Sequence, residues 1–455
     1  MTLPQSSFHG LIGAARCDIT PPAGIYSRNW GAALHDVAEG VHRPLMLTCL
    51  TLQAARDDAP LVLISADLGW WKSREDEEFV RGGVLEALSL DESRLMFCLS
   101  HTHAGPGICR DDATMPGGEQ ISPYLDQLRD AASRAAKDAL AAAAPATLAW
   151  RYGKCDLASN RDLRDPQRDR CIVGFNPDRA ADDTLLVGRV TNDDGELLAV
   201  IVNYACHPTT LAWGNRLISP DYIGAMREVI GAGGNNAPCL FLQGASGELA
   251  PAEQYSGDVT LADAHGRRLG HAVRSVLEAM LPAATRLAFT GVVESGAALG
   301  MWRREAAEVS RVLAVERVEV ELALKPMPAT AEIEAEWRRT DDRVMKERLW
   351  RKRGVRRIVG DGECARFGLW CWRLGDALLF GHPHEAYSVM QTSLRAHFPS
   401  HAVAVMNIVN GHAGYLPPRE MYDLDLYSVT ITPFAAGSLE RLIAEARTTG
   451  ARLLD

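Results

Sequence analysis

A chain of 455 residues, 47% hydrophobic and 23% charged, has ordinary globular composition and is too long for one small core. Its formal net charge of −10, without a basic stripe, excludes nucleic acid as a main partner. No uncharged apolar stretch nears the roughly 20 residues that span a bilayer, so no stable membrane insertion is expected.

From Gly10 to Pro22 the chain reads as strand and loop, ending at a Pro-Pro break. Leu45–Gln53 and Leu61–Ala66 are short apolar runs bounded by turn residues, suited to buried strands. Ser73–Leu88 has charged and apolar residues at helical spacing. Leu95–Leu99 is a buried strand that runs into Ser100-His101-Thr102-His103-Ala104-Gly105-Pro106-Gly107. On extended backbone, imidazoles at i and i+2 face the same side. Beside a glycine-rich loop they read either as a metal or acid/base site or as two polar residues on a solvated strand end.

Tyr124–Ala144 reads as a helix with Leu125, Leu128, Ala132, Ala135 and Ala139 on its apolar side. Leu148–Tyr152 and Leu185–Val190 read as strands, and Asn192-Asp193-Asp194-Gly195 as the turn of a hairpin returning along Leu197–Tyr204. That strand ends at Cys206-His207-Pro208. A helix Tyr222–Ile230, a strand Cys239–Gln243, a small-residue loop Gly244–Pro251 and a helix Leu261–Met280 follow.

Composition changes near Thr285. Strand-like Leu287–Val293 and Val318–Leu324 surround a charged helical piece, Trp302–Leu313. Ala329–Arg353 reads as a charged helix with Ile333, Trp337, Val344 and Leu349 as its apolar face, either a solvated helix or an excursion folding over a site. Arg366–Arg373 and Ala377–Phe380 flank the turn Gly375-Asp376; Glu385–Arg395 reads as a helix, Ala402–Val409 as a strand and Ser438–Arg447 as the closing helix. The pattern predicts an α/β fold, a mixed β-sheet sandwich with flanking helices. Residues 1–285 and 356–455 form its expected main domain. Residues 286–355 are the expected excursion, a candidate lid.

Ten cysteines are scattered without a CxxC pair, and Met1–Ala14 lacks a basic segment followed by a long apolar one. The expectation is a reducing compartment, the cytoplasm, with no signal peptide.

Four polar clusters stand where an apolar strand gives way to a loop: His101/His103, His207, His382-Pro383-His384-Glu385, and Asn410-Gly411-His412-Ala413-Gly414-Tyr415. Two histidines and a carboxylate from different strands match the three protein ligands of a catalytic zinc site. Glu385 also opens the expected helix, where a carboxylate favours the N-terminal dipole. For Tyr427 the plain alternative is a packed tyrosine with its hydroxyl at the surface.

These motifs, with the segments around them, resemble the neutral/alkaline (non-lysosomal) ceramidases, zinc enzymes that cleave the amide between a fatty acid and a sphingoid base. The resemblance runs through Gly13–Thr20, Ala66-Asp67-Leu68-Gly69, Ser100–Gly107, Asn160-Arg161, Asn203–His207, Ile218-Ser219-Pro220-Asp221, Pro383-His384-Glu385 and Asn410–Tyr427, in the family's order. It implies a zinc ion (Zn2+) held by His101, His207, Glu385 and Tyr415, with His103, Arg161 and Tyr427 beside it handling the substrate carbonyl. Zinc lowers the pKa of its bound water toward about 7. Donors such as His103 and Tyr427, aimed at a developing oxyanion, contribute about 3–4 kcal/mol each.

The chain also departs from the family. Its Gly-Asp-x-Ser-Pro motif reads Gly247-Glu248-Leu249-Ala250-Pro251, so the family serine is Ala250. His412 stands where tyrosine is usual, and Pro417-Pro418 replace a threonine pair. Typical relatives append an immunoglobulin-like domain after the catalytic one, and this chain ends sooner. The expectation is therefore a divergent, cytosolic, zinc-dependent amidohydrolase acting on a small molecule or N-acyl compound through metal-activated water. Ester or lactone hydrolysis on the same site is one alternative reading, and a catalytically silent ligand-binding relative is another.

Overall fold

The computed structural model describes residues 2–3, 5–232 and 236–455. Eight strands form the larger sheet: β1 (Ser7–Asp18), β2 (Met46–Gln53), β3 (Leu61–Ala66), β4 (Leu95–Leu99), β5 (Ala144–Lys154), β6 (Thr184–Asn192), β7 (Leu197–Tyr204) and β8 (Cys239–Gln243). Their spatial order is β8-β7-β6-β5-β1-β2-β3-β4. A second sheet carries β9 (Leu313–Ala323), β10 (Cys364–Leu374), β11 (Ala377–Gly381) and β12 (Ala402–Met406), in that order. Most neighbours are antiparallel. The parallel pairs β3/β4, β7/β8 and β11/β12 are each joined through a helix: α1 (Arg74–Leu88), α3 (Tyr222–Gly231) and α7 (Val389–His397). Parallel neighbours need such a crossover, whereas antiparallel ones need only a turn.

The apolar strand runs are continuous because both faces of the large sheet are covered. Along β2, β3 and β4 alternate residues divide between two cores. Leu47, Cys49, Val62, Ile64, Phe97 and Leu99 pack under α1 and α2 (Ile121–Ala141). Leu50, Leu52, Leu61, Leu63 and Met96 face Trp370, Trp372, Leu379 and Ala404 of the second sheet. Further along the large sheet, β7 and β8 pack outward beneath α3 and α4 (Val259–Ala279). The second sheet's outer face is covered by α7 and α9 (Ser438–Arg452). The molecule is thus a four-layer mixed α/β sandwich, helices outside and two sheets within.

Local signals set the helix ends. Ser73 caps α1, its side chain accepting from the Asp76 N–H, and Ser89 ends it in left-handed conformation. The expected apolar side of α2 is buried throughout.

Residues 286–355 divide among three places. Thr285–Glu294 and Ala298–Ala306 form a hairpin, so the helical reading of Trp302–Leu313 gives way to a strand. Cross-strand pairing decides it: Phe289 packs edge-on against Trp302, and Arg286 binds Glu305. β9 pairs with β10 along its whole length and belongs to the second sheet. The expected helix over 329–353 is two helices, α5 (Thr330–Arg339) and α6 (Arg343–Val359), broken at Asp341-Asp342, where Asp342 caps α6. Ile333 and Leu349 are buried; the side chain of Val344 lies outside the described residues.

One short segment decides where the site forms. β4 and β8 are opposite edges of the large sheet in pairing order. The sheet coils until they approach: the Ser65 hydroxyl on β3 donates to the Phe241 carbonyl on β8 at 2.7 Å. Residues 407–410, after β12, fill the remaining gap. The Asn407 N–H donates to the Gln243 carbonyl at 2.9 Å, the Leu99 N–H to Ile408 at 3.1 Å, and the Asn410 N–H to Phe97 at 3.1 Å. The expected strand over 402–409 therefore ends at Met406, because its last residues bridge two other edges.

Candidate metal centre and active site

Gathering these strand ends brings His101, His207 and Glu385 into contact. Nε2 of His101 lies 3.2 Å from Nε2 of His207. Oε2 of Glu385 lies 3.0 Å from His207 Nε2 and 3.3 Å from His101 Nε2. The Tyr415 hydroxyl is 3.5 Å from His207 Nε2 and accepts from Arg161 Nη2 at 3.0 Å. All five residues are buried.

The backbone carrying His101 is not the extended strand expected for it. β4 stops at Leu99, and His101 has φ +68°, in the left-handed region. That turn aims its ring inward while its N–H donates to the Leu68 carbonyl at 2.9 Å. Glu385 does not open a helix either. Glu385-Ala386 pairs in parallel with Tyr415-Leu416, and α7 begins at Val389. Pairing carries Glu385 and Tyr415 into the cluster together, and the helix-dipole reading of Glu385 falls away.

Hydrogen bonds identify the tautomers. His101 Nδ1 is 3.2 Å from the Gly69 carbonyl, and His207 Nδ1 is 2.7 Å from that of Ser246. A carbonyl oxygen only accepts, so each Nδ1 carries a proton and each Nε2 is turned toward Glu385 Oε2. Two ring nitrogens and a carboxylate oxygen thus converge, and Arg161 Nη2 lies 3.3 Å from the His207 one. Ligands about 2.0–2.1 Å from a tetrahedral zinc stand about 3.4 Å apart, and the four donor separations given above are 3.0–3.5 Å. The residues present fit a zinc ion.

Electrostatics agree with that arrangement. Burial, with Arg161 beside it, pushes His207 down to about 3. Burial alone would raise Glu385, but His101 and the hydrogen bonds from His101, His207 and His412 outweigh it and hold the carboxyl well below its usual range. Burial raises the Tyr415 phenol, and Glu385 adds to that. Arg161 stays charged: burial works against its charge, and Tyr415, Tyr255 and Glu385 override it.

His103 completes a second set. His101, His103 and His207 can bring one ring nitrogen each within 4.8 Å of one another. Neither nitrogen of His103 has a hydrogen-bond partner among the described residues. Burial, then His101 and His207, push it well below its usual range, so its imidazole is neutral. Tyr427 opens α8 (Tyr427–Ile431), 6.0 Å from Tyr415 between ring centroids, and is 48% exposed. The Tyr387 hydroxyl contacts Asp162 at 2.8 Å and Ser428 at 2.5 Å, tying the neighbours of Arg161 and Tyr427 together.

Several residues of the site were missed in the sequence. Trp70 and Trp30 both pack against the His103 ring, with centroids 4.8 and 5.1 Å away. Trp213 and Tyr255 stack against each other beyond Trp30. Trp70 follows Ala66-Asp67-Leu68-Gly69 at a strand end, which was its one available signal. His382 and His384 belong elsewhere: His384 packs edge-on against Phe367 and Phe434. Ala250 lies buried in a short strand paired with Ser159. The loop before it supports His207 by backbone carbonyls at Ser246 and Leu249, and those bonds need no hydroxyl at position 250. Ser246 Oγ also lies 3.3 Å from His207 Nδ1.

Fold and cluster together define a mixed α/β protein with a candidate metal centre at converging strand ends. No protein-family model matches the chain. Over 219 residues it is 25% identical to the neutral ceramidase of Pseudomonas aeruginosa, a match covering 47% of this chain and 32% of that protein. Among solved structures it is similar to a ceramidase complexed with C2, with TM-score 0.68, 17% identity, and 99% of this chain and 75% of that one covered. The crystal structure of neutral ceramidase from Pseudomonas aeruginosa is similar at TM-score 0.67, with 17% identity and the same coverage. The chain is thus similar to neutral ceramidase in sequence over part of its length and in fold over nearly all of it, and it spans about a third of that relative in the sequence match.

Proposed function

We propose that the chain is a zinc-dependent hydrolase cleaving an amide bond in a small molecule or N-acyl compound. The observation that carries this reading is the convergence of His101 Nε2, His207 Nε2, Glu385 Oε2 and the Tyr415 hydroxyl. Those four residues would hold the ion. When bound, zinc supplies a Lewis acid that polarises a carbonyl and makes hydroxide available near neutral pH. Arg161, charged and fastened to the Gly247 carbonyl at 2.8 Å, orients Tyr415 and the substrate. His103, neutral and pinned by Trp30 and Trp70, donates one N–H to the carbonyl oxygen as negative charge develops there. Tyr427 brings its hydroxyl as a second donor to the same oxygen. Homology to ceramidases supports an amide over an ester. Ten free thiols support a compartment where cysteines stay reduced.

Alanine at His101 or at His207, each measured for zinc content after purification, tests the site. Loss of bound zinc is expected from either replacement, together with loss of amide hydrolysis. Zinc stoichiometry equal to that of the unaltered protein in both variants overturns the assignment.

A further inference from the structure

Glu385 is gripped at both oxygens. Oε2 faces the two ring nitrogens described above, while Oε1 lies 2.9 Å from Nε2 of His412. We propose that His412 is a positioning residue that holds Glu385 by one oxygen, so that the other alone is presented to the metal. The inference rests on the zinc-site reading above and goes beyond it, since His412 touches neither His101 nor His207 in any hydrogen bond among the described residues.

The loop around His412 is built to place it. Asn410 has φ +51° and clamps strand β4 twice: its side-chain oxygen accepts from the Phe97 N–H at 2.8 Å, and its amide donates to the Leu95 carbonyl at 2.7 Å. Gly411 and Gly414 adopt φ +133° and +89°, conformations costly for other residues. The Ala413 N–H donates to Pro383 at 2.7 Å, and the Gly414 carbonyl accepts from the Glu385 N–H at 3.0 Å. The loop carrying His412 is therefore fastened to β4 on one side and to the Glu385 segment on the other. Trp70 lies against the His412 ring, 6.4 Å between centroids.

The chemistry requires such a partner. A carboxylate has two equivalent oxygens and turns freely about its last bond unless something distinguishes them. Buried without a donor, Oε1 would be an unpaired anionic atom or would turn toward the metal as a second ligand. A ring N–H at hydrogen-bond distance prevents both. Partners of this kind behind a metal ligand typically affect metal affinity by about 10–100-fold.

The test compares His412→Phe, which keeps the ring and removes the donor, with His412→Gln, whose amide N–H reaches the same oxygen. Zinc affinity of the metal-free proteins is measured by competition with a chromophoric chelator, and the absorption of the cobalt-substituted forms reports coordination. Thermal melting of the metal-free forms confirms folding. The expected result is a loss of about 10–100-fold in zinc affinity and an altered cobalt spectrum for His412→Phe, both largely restored in His412→Gln. Unchanged affinity and spectrum in His412→Phe, or equal losses in both variants, overturn the inference. The His207→Ala protein separates the two readings. If it binds zinc as tightly as the unaltered chain, the metal site itself is misplaced and the inference falls with it; if it alone loses zinc, only the role of His412 is refuted.

Discussion

His103 lies against two tryptophans, with neither ring nitrogen hydrogen-bonded among the described residues. A buried imidazole left that way is costly unless something outside the protein completes it. Its neighbours admit two roles: a third imidazole ligand with His101 and His207, or a donor to the substrate carbonyl. The donor sets separate them. Glu385 Oε2 is already 3.0 and 3.3 Å from His207 and His101, so a compact set exists without His103. His103→Ala is therefore expected to keep its zinc and to lose about 100–1000-fold in kcat, the range for removing one oxyanion donor. Metal analysis and steady-state kinetics on the same preparation check it. Zinc lost as in His101→Ala would make His103 a ligand instead.

At the scale of elements, the loop 244–251 holds the site together. Its carbonyls fix His207 and Arg161, and Glu248 anchors it to the start of α7 through Ser388, whose N–H donates to both carboxylate oxygens at 3.0 Å. Burial pushes Glu248 up to about 7 against the opposing hydrogen bonds from Ser388. The folded chain then holds this proton more tightly than the unfolded one. Stability from this group is complete below about pH 4.5 and declines as pH rises to about 7, then levels off. The decline amounts to about 3 kcal/mol across that window. Glu248→Gln stays neutral at every pH while keeping an oxygen for the Ser388 N–H. Urea unfolding at a series of pH values should show its stability curve flatter than the parent's by that amount, and parallel curves would refute the assignment.

At the scale of the whole molecule, two sheets packed face to face leave their strand ends on one rim, and α6 lies against that rim. Arg353 and Arg357 of α6 both bind Asp111, at 2.9 and 2.6 Å, in the loop that follows the His101–Gly107 stretch. Exposed ion pairs are worth only about 0.2–1 kcal/mol each. Asp111→Ala is thus expected to raise amide hydrogen exchange in residues 343–359 several-fold, with β10 unchanged and zinc content intact. Equal exchange in both proteins would show that apolar packing under Leu349 alone holds the helix. The charged excursion expected over 286–355 is in part this arm, but β9 within it is sheet.

Much was legible in the residues themselves. Strand ends could be read because an apolar run stops at a polar cluster, and α1 could be read from charged and apolar residues at helical spacing over Ser73–Leu88. The mixed sandwich followed from helices alternating with runs buried on both faces. Other features depend on contacts distant in sequence. Helical spacing in Trp302–Leu313 lost to pairing with Phe289, and Glu385 joined Tyr415 rather than opening a helix. Above all, no local pattern says that β4 and β8, opposite edges of one sheet, close around residues 407–410. Hydrophobic periodicity is a short-range signal and determined the elements; the distance between His101 and His207 is set by sheet coiling and a bridging segment some three hundred residues downstream of His101. Which residues were equipped for chemistry was written in the chain, and that they meet was decided by the tertiary fold.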